Sequence, residues 1–260
     1  MLESPDKQVS LTDPDCRSMK TRGTGIVGYN VQTAVDVTNH LIPAHEVTNS
    51  GSDRGQLNSM AEKARTALGR KTLEVFADAG YYNGKEIVAC EDDGITTYIP
   101  KPNTSNSKAE GRFSKQDFQY LPKGNEYRCP ADQRLTYRFD TFDKKAQKKL
   151  HVYMSSGCRD CKIKEQCTPA KERKISRWER EEVLDAMQQR LKESLEKMLL
   201  RKQTFEHPYG TIKHWMGATH FLMKSLEHVS TEMSLHVLAY NMKRVMSIMG
   251  VRAMMEEMQA

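Results

Sequence analysis

Residues 27–36, VGYNVQTAVD, are the stretch from which the fold of this chain follows. Apolar and polar residues alternate along it, and many of them favour extended backbone, so it predicts a β-strand. Residues 40–48, HLIPAHEVT, predict a second strand, which a short Thr-Asn turn joins to the first as an antiparallel hairpin. The pattern continues with a helix at 53–68, a strand at 72–77, a helix at 84–93 and a strand at 95–99. This order predicts an α/β fold in which helices flank a mixed sheet.

The rest of the chain divides into three further regions. Residues 1–24 are polar, contain Pro5 and Pro14, and predict an extended arm before the first part of the core at 25–99. From 100 to 176, Pro, Ser, Asn, Lys and Gly dominate, which indicates an insertion into the main fold. Helical periodicity returns at 177–260, which predicts a helical C-terminal part of the core.

Composition limits the function to a few classes. The chain has 260 residues, and 40 basic against 34 acidic residues give a net charge of +6, which suits a polyanionic partner without requiring one. No run of about 18 apolar residues occurs, and the N-terminus has no pattern of a signal peptide. We therefore expect a cytoplasmic protein without membrane contact, in which the six cysteines are reduced thiols or metal ligands.

Asp78 is the first candidate for a functional residue. It follows directly on the predicted strand at 72–77, and open α/β sheets bind ligands at the carboxyl ends of their strands. An aspartate in this place could equally cap the next helix, with Gly80 forming a turn. The segment alone leaves both interpretations open.

Residues 199–217, LLRKQTFEHPYGTIKHWMG, hold the second candidate, Glu206, in strongly basic surroundings. On a continuous helix Glu206 and Lys213, seven residues apart, would share a face, and Lys202 would join them. Pro208 would kink such a helix just after Glu206. A charged surface helix would explain the segment equally well.

Together, Asp78 and Glu206 predict a divalent-metal site. Mg²⁺ prefers oxygen ligands and is usually held by carboxylates together with substrate phosphates. Lys202 and Lys213 would contact phosphates in the DNA backbone without reading bases.

Several segments together resemble one known family. They are SLTDPDCRSM at 10–19, GYNVQTAVD at 28–36, AHEVTN at 44–49, DRGQL at 53–57, ADAGY at 77–81 and FEHPYGTIKHWMGATHFL at 205–222. Over nearly its whole length the chain resembles the catalytic part of bacterial insertion-sequence transposases of the DDE class, which have an RNase H-like fold. The resemblance implies an RNase H-like mixed sheet flanked by helices, with the cysteine-containing insertion before the last catalytic helix.

The resemblance also implies an activity and a set of residues. Asp78 corresponds to the second catalytic aspartate, and Glu206 with Lys213 to the catalytic glutamate and the lysine seven residues after it. Related transposases carry tyrosine and arginine seven and four residues before that glutamate, where this chain has Leu199 and Lys202. The implied reaction is cleavage of element ends and strand transfer into target DNA, with Mg²⁺ or Mn²⁺ at Asp78 and Glu206. Double-stranded DNA would be the partner, contacted by Arg201, Lys202 and Lys213, and the complete enzyme would be a homo-oligomer associated with the bacterial nucleoid.

The first catalytic aspartate has no clear counterpart. In the family it lies on the first core strand, in an aspartate-glycine context upstream of a segment like SLTDPD. Asp13 is the closest substitute by position, and Asp15 and Asp36 are further carboxylates. The sequence therefore predicts an N-terminally truncated transposase or the downstream half of a split gene. The alternative is a catalytically inactive DNA-binding remnant that pairs with full-length transposase.

The insertion contains a second candidate metal site. Cys158-x-x-Cys161, Cys167 and, upstream, Cys129 before Pro130 could supply four thiolates to one structural Zn²⁺. Free reduced thiols are the alternative, because the spacing of the second pair is irregular.

Overall fold

The computed structural model describes residues 10–21, 24–102, 108, 110–194, 196, 204 and 207–259. Within them the chain forms two compact units. One unit contains the chain up to Lys101 together with the chain from Ala186 onward, and the other contains Pro102–Asp185. The composition of the sequence had placed the insertion at 100–176.

The first unit begins with two antiparallel hairpins. Strands β1 (Arg17–Thr21) and β2 (Thr24–Gly28) form the first hairpin, and β3 (Asn30–Ala34) and β4 (Ala44–Thr48) form the second. The predicted hairpin is confirmed by the pairing of β3 with β4, but the bounds predicted for its first strand, 27–36, are wrong, because the chain changes its pairing partner at Tyr29. The Tyr29 hydroxyl donates a hydrogen bond to Asp13, and its ring contacts Phe221 edge to face.

A parallel βαβ arrangement follows. Helix α1 (Leu57–Ala67), strand β5 (Leu73–Phe76), helix α2 (Gly84–Asp92) and strand β6 (Ile95–Tyr98) confirm the predicted order. Leu73 of β5 pairs with Ile95 of β6. Helix α1 begins later than predicted because a separate 3₁₀ turn occupies Asp53–Gly55.

The strands of this unit form three two-stranded sheets rather than the single mixed sheet that we predicted. Antiparallel and parallel pairing both occur, but among the described residues no ladder of hydrogen bonds joins one pair to the next. Contacts of helix α1 connect the pair β3–β4 to the pair β5–β6 instead. Met60 and Ala64 pack with Ala44 of β4 and contact Leu73 of β5.

Helices complete the first unit. Helix α3 (Glu181–Glu193) begins in the other unit, and the helix predicted from 177 is wrong there, because Arg177 and Trp178 belong to a strand. Residues 207–210 are helical and run into a π-helical segment, Thr211–Trp215. Helices α4 (Leu226–Met249) and α5 (Val251–Glu257) end the described chain.

Helix α4 provides the main core of the unit. It packs against the second hairpin in a cluster of buried side chains formed by Ile42, Val47, Ile212, Val229, Met233, Val237 and Tyr240. The helical C-terminal part of the core that the sequence predicted is confirmed for this segment, whose buried face includes Met233, Val237 and Tyr240. Among the described helices, none is both long and apolar enough to cross a membrane.

The second unit is a five-stranded antiparallel sheet in the order β11-β10-β9-β8-β7. Its strands are β7 (Gln119–Leu121), β8 (Glu126–Arg128), β9 (Arg134–Asp143), β10 (Lys148–Met154) and β11 (Lys174–Trp178). Its core is a cluster formed by Phe118, Tyr127, Leu135, Tyr153 and Ile175. The whole fold is therefore mixed α/β, as predicted, while its RNase H-like character stays a prediction.

Candidate functional site

Asp78 lies just beyond the carboxyl end of strand β5. Its Oδ1 accepts a hydrogen bond of 2.7 Å from the backbone N–H of Gly80, so it caps the 3₁₀ turn Ala79–Tyr81. It does not cap helix α2, whose N-terminus is capped by Asn83. The Asp78 side chain is exposed, and its Oδ2 accepts no hydrogen bond from the described residues. One carboxylate oxygen therefore shapes the turn while the other is available to a ligand.

Asp53 brings a second carboxylate to the same place. A Cβ atom on Gly80 would lie 2.9 Å from Oδ1 of Asp78 and 3.5 Å from Oδ2 of Asp53. The two carboxylates therefore border one small volume, which stays open because residue 80 has no side chain. The 3₁₀ turn Asp53–Gly55 supplies one carboxylate and the turn after β5 supplies the other.

Two amides on strand β3 hold Asp53 in position. Oδ1 of Asp53 accepts hydrogen bonds from Nδ2 of Asn30 (2.7 Å) and from Nε2 of Gln32 (2.8 Å). Asn30 and Gln32 are two residues apart on the strand and point to the same face. Gln32 is 2% exposed, and its Oε1 accepts a hydrogen bond from the hydroxyl of Tyr81. The orientation of Asp53 is therefore fixed by buried polar groups.

Two tyrosines next to the carboxylates stay protonated. Burial raises the pKa of the Tyr81 phenol, and the charges of Asp53 and Asp78 raise it further. Burial also raises the pKa of Tyr209, and Asp53 acts in the same direction. Since a phenol with a raised pKa remains a hydrogen-bond donor at neutral pH, Tyr81 keeps its bond to Gln32 and Tyr209 keeps its bond to Val31.

Tyr209 also places the C-terminal segment beside β3. Its hydroxyl donates to the carbonyl of Val31 (3.1 Å) and accepts from Oγ1 of Thr33 (3.2 Å). Lys213, on the π-helical segment, is exposed, and its Nζ lies 5.6 Å from the centre of the Tyr209 ring. The structure thus brings the segment that contains Lys213 to strand β3, whose Asn30 and Gln32 donate hydrogen bonds to Asp53.

The backbone around Lys213 departs from a regular α-helix. From Thr211 the backbone is π-helical, and the N–H of Met216 bonds to the carbonyl of Thr211. A π-helix closes its hydrogen bonds over five residues instead of four, so α-helical spacing does not apply within Thr211–Trp215, and the shared face of Glu206 and Lys213 stays a prediction. Glu206, Arg201 and Lys202 themselves lie outside the described residues.

Asp13 occupies a different place from the Asp53–Asp78 pair. Its Oδ2 accepts from the Tyr29 hydroxyl (2.7 Å) and from the N–H of Ser225 (3.2 Å), and its Oδ1 accepts from the N–H of Asp15 (3.2 Å). Burial alone would raise the pKa of Asp13, but these hydrogen bonds lower it below its usual range. The contacts of Asp13 join the start of the described chain to helix α4.

The four cysteines of the insertion, Cys129, Cys158, Cys161 and Cys167, line one small cavity in the second unit, and all four are free thiols. Throughout the described part of the chain, no group of three or more His, Cys, Asp or Glu side chains is already arranged as a metal site.

The sequence missed the residues that complete the site: Asn30, Gln32, Asp53, Tyr81 and Tyr209. A signal for two of them exists, because amides at alternate positions of a predicted strand share a face. Asp53 lies in DRGQL, which contributed to the resemblance without a role of its own.

Comparison with known proteins gives one match. The sequence model of the family described as "Transposase DDE domain" matches residues 128–246, slightly less than half of the chain. The matched region includes the segment of Glu206 and Lys213 but does not reach Asp53 or Asp78. Neither the curated proteins nor the solved structures gave a match. Residues 128–246 are therefore similar to the DDE domain of transposases.

Proposed function

We propose that this chain is a DDE transposase, or a fragment of one, that cleaves DNA strands at the ends of a bacterial insertion sequence and transfers them to a target. The observation that carries the proposal is the pairing of Asp53 and Asp78 across Gly80, at a strand end beside Tyr209 and Lys213. The family match over residues 128–246 supports the same class of protein.

The carboxylates suit Mg²⁺ or Mn²⁺ in their chemistry. Their donors are hard oxygens, and Oδ2 of Asp53 and of Asp78 accept no hydrogen bond within the described ranges, so these atoms are available as ligands. Asp53 and Asp78 would hold the metal together with Glu206. A bound divalent ion would stabilise charge on the attacking and leaving oxygens of a phosphoryl transfer.

We assign the remaining carboxylate to Asp53 rather than to Asp13. Both oxygens of Asp13 are occupied by hydrogen bonds that hold Tyr29, Asp15 and the start of helix α4. Asp53, in contrast, faces the same volume as Asp78. Asp13 thereby takes a structural role in this proposal.

The chain's own residues would orient the site and bind DNA. Asn30 and Gln32 fix the direction of Asp53, and Tyr81 fixes Gln32. Lys213, with Arg201 and Lys202, would contact phosphates of double-stranded DNA, which positions the duplex but does not read its sequence. The natural setting would be the nucleoid in the bacterial cytoplasm, and the complete enzyme would act as a homo-oligomer.

The test is strand cleavage by the purified chain. Supercoiled DNA that carries both flanks of the coding sequence is incubated with Mg²⁺ or Mn²⁺ and with the parent, Asp78→Asn or Asp53→Asn. The parent is expected to nick the DNA at the element ends, and both variants to lose at least about 100-fold in rate while DNA affinity is retained, because such changes remove transition-state stabilisation. Asp36→Asn is the matched control, since an asparagine can still accept the N–H of Asn39. Cleavage by Asp78→Asn at the parental rate would refute the assignment.

The second candidate is a DNA-binding protein without cleavage activity that pairs with full-length transposase. It is favoured by a surface in the second unit where Lys174 lies 5.5 Å from the ring centre of Phe139 and Lys148 lies 4.2 Å from that of Trp178. Lysines combined with aromatic rings are typical of nucleic-acid surfaces. DNA binding that falls steeply with salt, without any cleavage by the parent, would favour this candidate over the first.

A further inference from the structure

The sheet of the second unit gathers four cysteines that are distant in sequence. Cys129 follows strand β8, Cys158 ends a 3₁₀ turn after β10, and Cys161 and Cys167 lie in turns before β11. All four line one cavity whose remaining walls include Phe113 and Phe118. Because the antiparallel pairing of the strands fixes where these turns lie, the backbone already brings the four positions together.

Two of the sulfurs already accept hydrogen bonds from the backbone. The N–H of Gln133 donates to Sγ of Cys129 (3.3 Å), and the N–H of Arg173 donates to Sγ of Cys158 (3.5 Å). A thiolate is a better acceptor than a thiol, and hydrogen bonds to a charged form favour that form. These turns are therefore suited to hold sulfur as an anion.

Arg173 adds positive charge to the same cavity. Its Nη1 donates to the carbonyl of Cys167 (3.1 Å) and its Nη2 to the carbonyl of Phe113 (3.2 Å). Its Nε is buried and has no hydrogen-bond partner among the residues that the structure describes. A buried cationic donor that lacks a partner favours an anion beside it, and the groups that can become anionic here are the thiols.

We propose that Cys129, Cys158, Cys161 and Cys167 bind one Zn²⁺ ion as thiolates and that Arg173 stabilises the bound complex. Four thiolates are a common ligand set for structural zinc, and the Cys158-x-x-Cys161 spacing suits two adjacent ligands. Four thiolates and Zn²⁺ carry a net charge of −2, which Arg173 and Lys164, both lining the cavity, offset.

Binding of Zn²⁺ requires the cysteine thiols to lose their protons and the cysteine side chains to change direction. Zinc binding therefore releases protons and strengthens as the pH rises. Because the thiols are not arranged as a ligand set in the structure, binding also requires their side chains to turn toward a common centre.

The first test measures metal content and thiol protection in the full chain. The protein is purified from zinc-supplemented cells and desalted, and its zinc is counted by plasma mass spectrometry. We expect one zinc per chain in the parent and none in Cys158→Ser/Cys161→Ser. Cys16→Ser is the matched control and should keep the zinc, because a serine hydroxyl can still donate to the carbonyl of Asp13, as the Cys16 thiol does.

The second test separates a metal site from a merely structural cluster. Arg173→Gln keeps all four thiolates, and loss of a group that supports the ligands typically weakens metal affinity 10–100-fold. Competition with a chromophoric chelator measures this change, and Co²⁺ added to the apo protein should give the visible absorption of a tetrahedral thiolate site. A folded parent without zinc that takes up no Co²⁺ would overturn the proposal, and so would a disulfide between any two of the four cysteines in freshly purified protein.

Discussion

At the scale of single residues, Gly80 controls the candidate site through the side chain that it lacks. Its φ is not in the left-handed region, so the position does not demand glycine for its backbone. What it provides is the space between the two carboxylates. A methyl group there would meet Oδ1 of Asp78 at 2.9 Å, closer than real Cβ contacts allow.

Gly80→Ala should therefore damage the site without unfolding the protein. We expect strand cleavage to fall at least tenfold, because the methyl group displaces the Asp78 carboxylate, while the melting temperature changes by only a few degrees. Gly55→Ala is the matched control, since a Cβ at Gly55 has no heavy atom within 4 Å. Cleavage by Gly80→Ala at the rate of Gly55→Ala would show that the space between the carboxylates is not used.

Of the two carboxylates at the candidate site, the sequence predicted Asp78 but not Asp53. Asp78 is recognisable because it follows an apolar strand, and the strand is confirmed. Asp53 reaches the site only through hydrogen bonds from Asn30 and Gln32, 23 and 21 residues earlier. Such contacts depend on the tertiary fold, and no local periodicity encodes them.

At the scale of elements, helix α4 is fixed by carboxylates from other parts of the first unit and from its own second turn. Asp15 accepts the N–H of Leu226 at 2.9 Å. Glu232 accepts the N–H groups of Leu222 (2.9 and 3.0 Å) and Met223 (2.9 Å), which ties the preceding loop to the helix. Partial burial would raise the pKa of Glu232, but these bonds, with His236, lower it below its ordinary value of 4.5.

Glu232→Gln should lower the stability of the first unit in a pH-dependent way. Hydrogen bonds to a charged group contribute about 1.5–3 kcal/mol, and part of this is lost with the charge. Because the pKa is lowered on folding, the stabilisation is complete above pH 4.5 and disappears as the pH falls through the lower pKa of the folded state.

Urea unfolding of parent and Glu232→Gln, followed by circular dichroism from pH 7 to pH 3, measures this difference. The two curves should converge at the acidic end. Glu227→Gln, on the first turn of the same helix, is the control and should show a smaller difference across the range. A constant gap between parent and Glu232→Gln at every pH would contradict the role given to the charge.

The elements themselves were predicted unevenly for physical reasons. The βαβ segment was predictable because its helices and strands have clear apolar periodicity. Strand β9 was predictable only in its first half, where Leu135, Tyr137 and Phe139 alternate with polar residues, because most of the strand is exposed and its second half has no regular apolar face. The π-helical geometry at Thr211–Trp215 also has no signature in composition.

At the scale of the whole molecule, each unit has its own hydrophobic core. The first is built around helix α4 and the second around Phe118, Tyr127 and Tyr153. Separate cores predict separate cooperative transitions. The cysteine cavity lies entirely in the second unit.

Calorimetry should therefore show two thermal unfolding transitions. A zinc chelator should shift only the transition of the second unit. Removal of zinc should lower the melting temperature of the second unit, because a ligand that binds only the folded state stabilises it. The transition of the first unit should stay within about 1 °C. Cys158→Ser/Cys161→Ser should show the lower transition with or without chelator, whereas a chelator shift in that variant would place the metal elsewhere.

The hydrogen bond between Asp13 and Ser225 spans 212 residues of sequence, so the first unit can be completed only after the second unit has been synthesised. A ribosome releases the hairpin β3–β4 early, but the helix that covers Ile42 and Val47 leaves it among the last segments. The intervening unit, Pro102–Asp185, has all its strands available before then and can fold first. From the synthesis of Asp185 until helix α4 has emerged, the nascent chain can therefore carry a folded second unit while the apolar side chains Ile42 and Val47 are still uncovered, which makes it a substrate for chaperones.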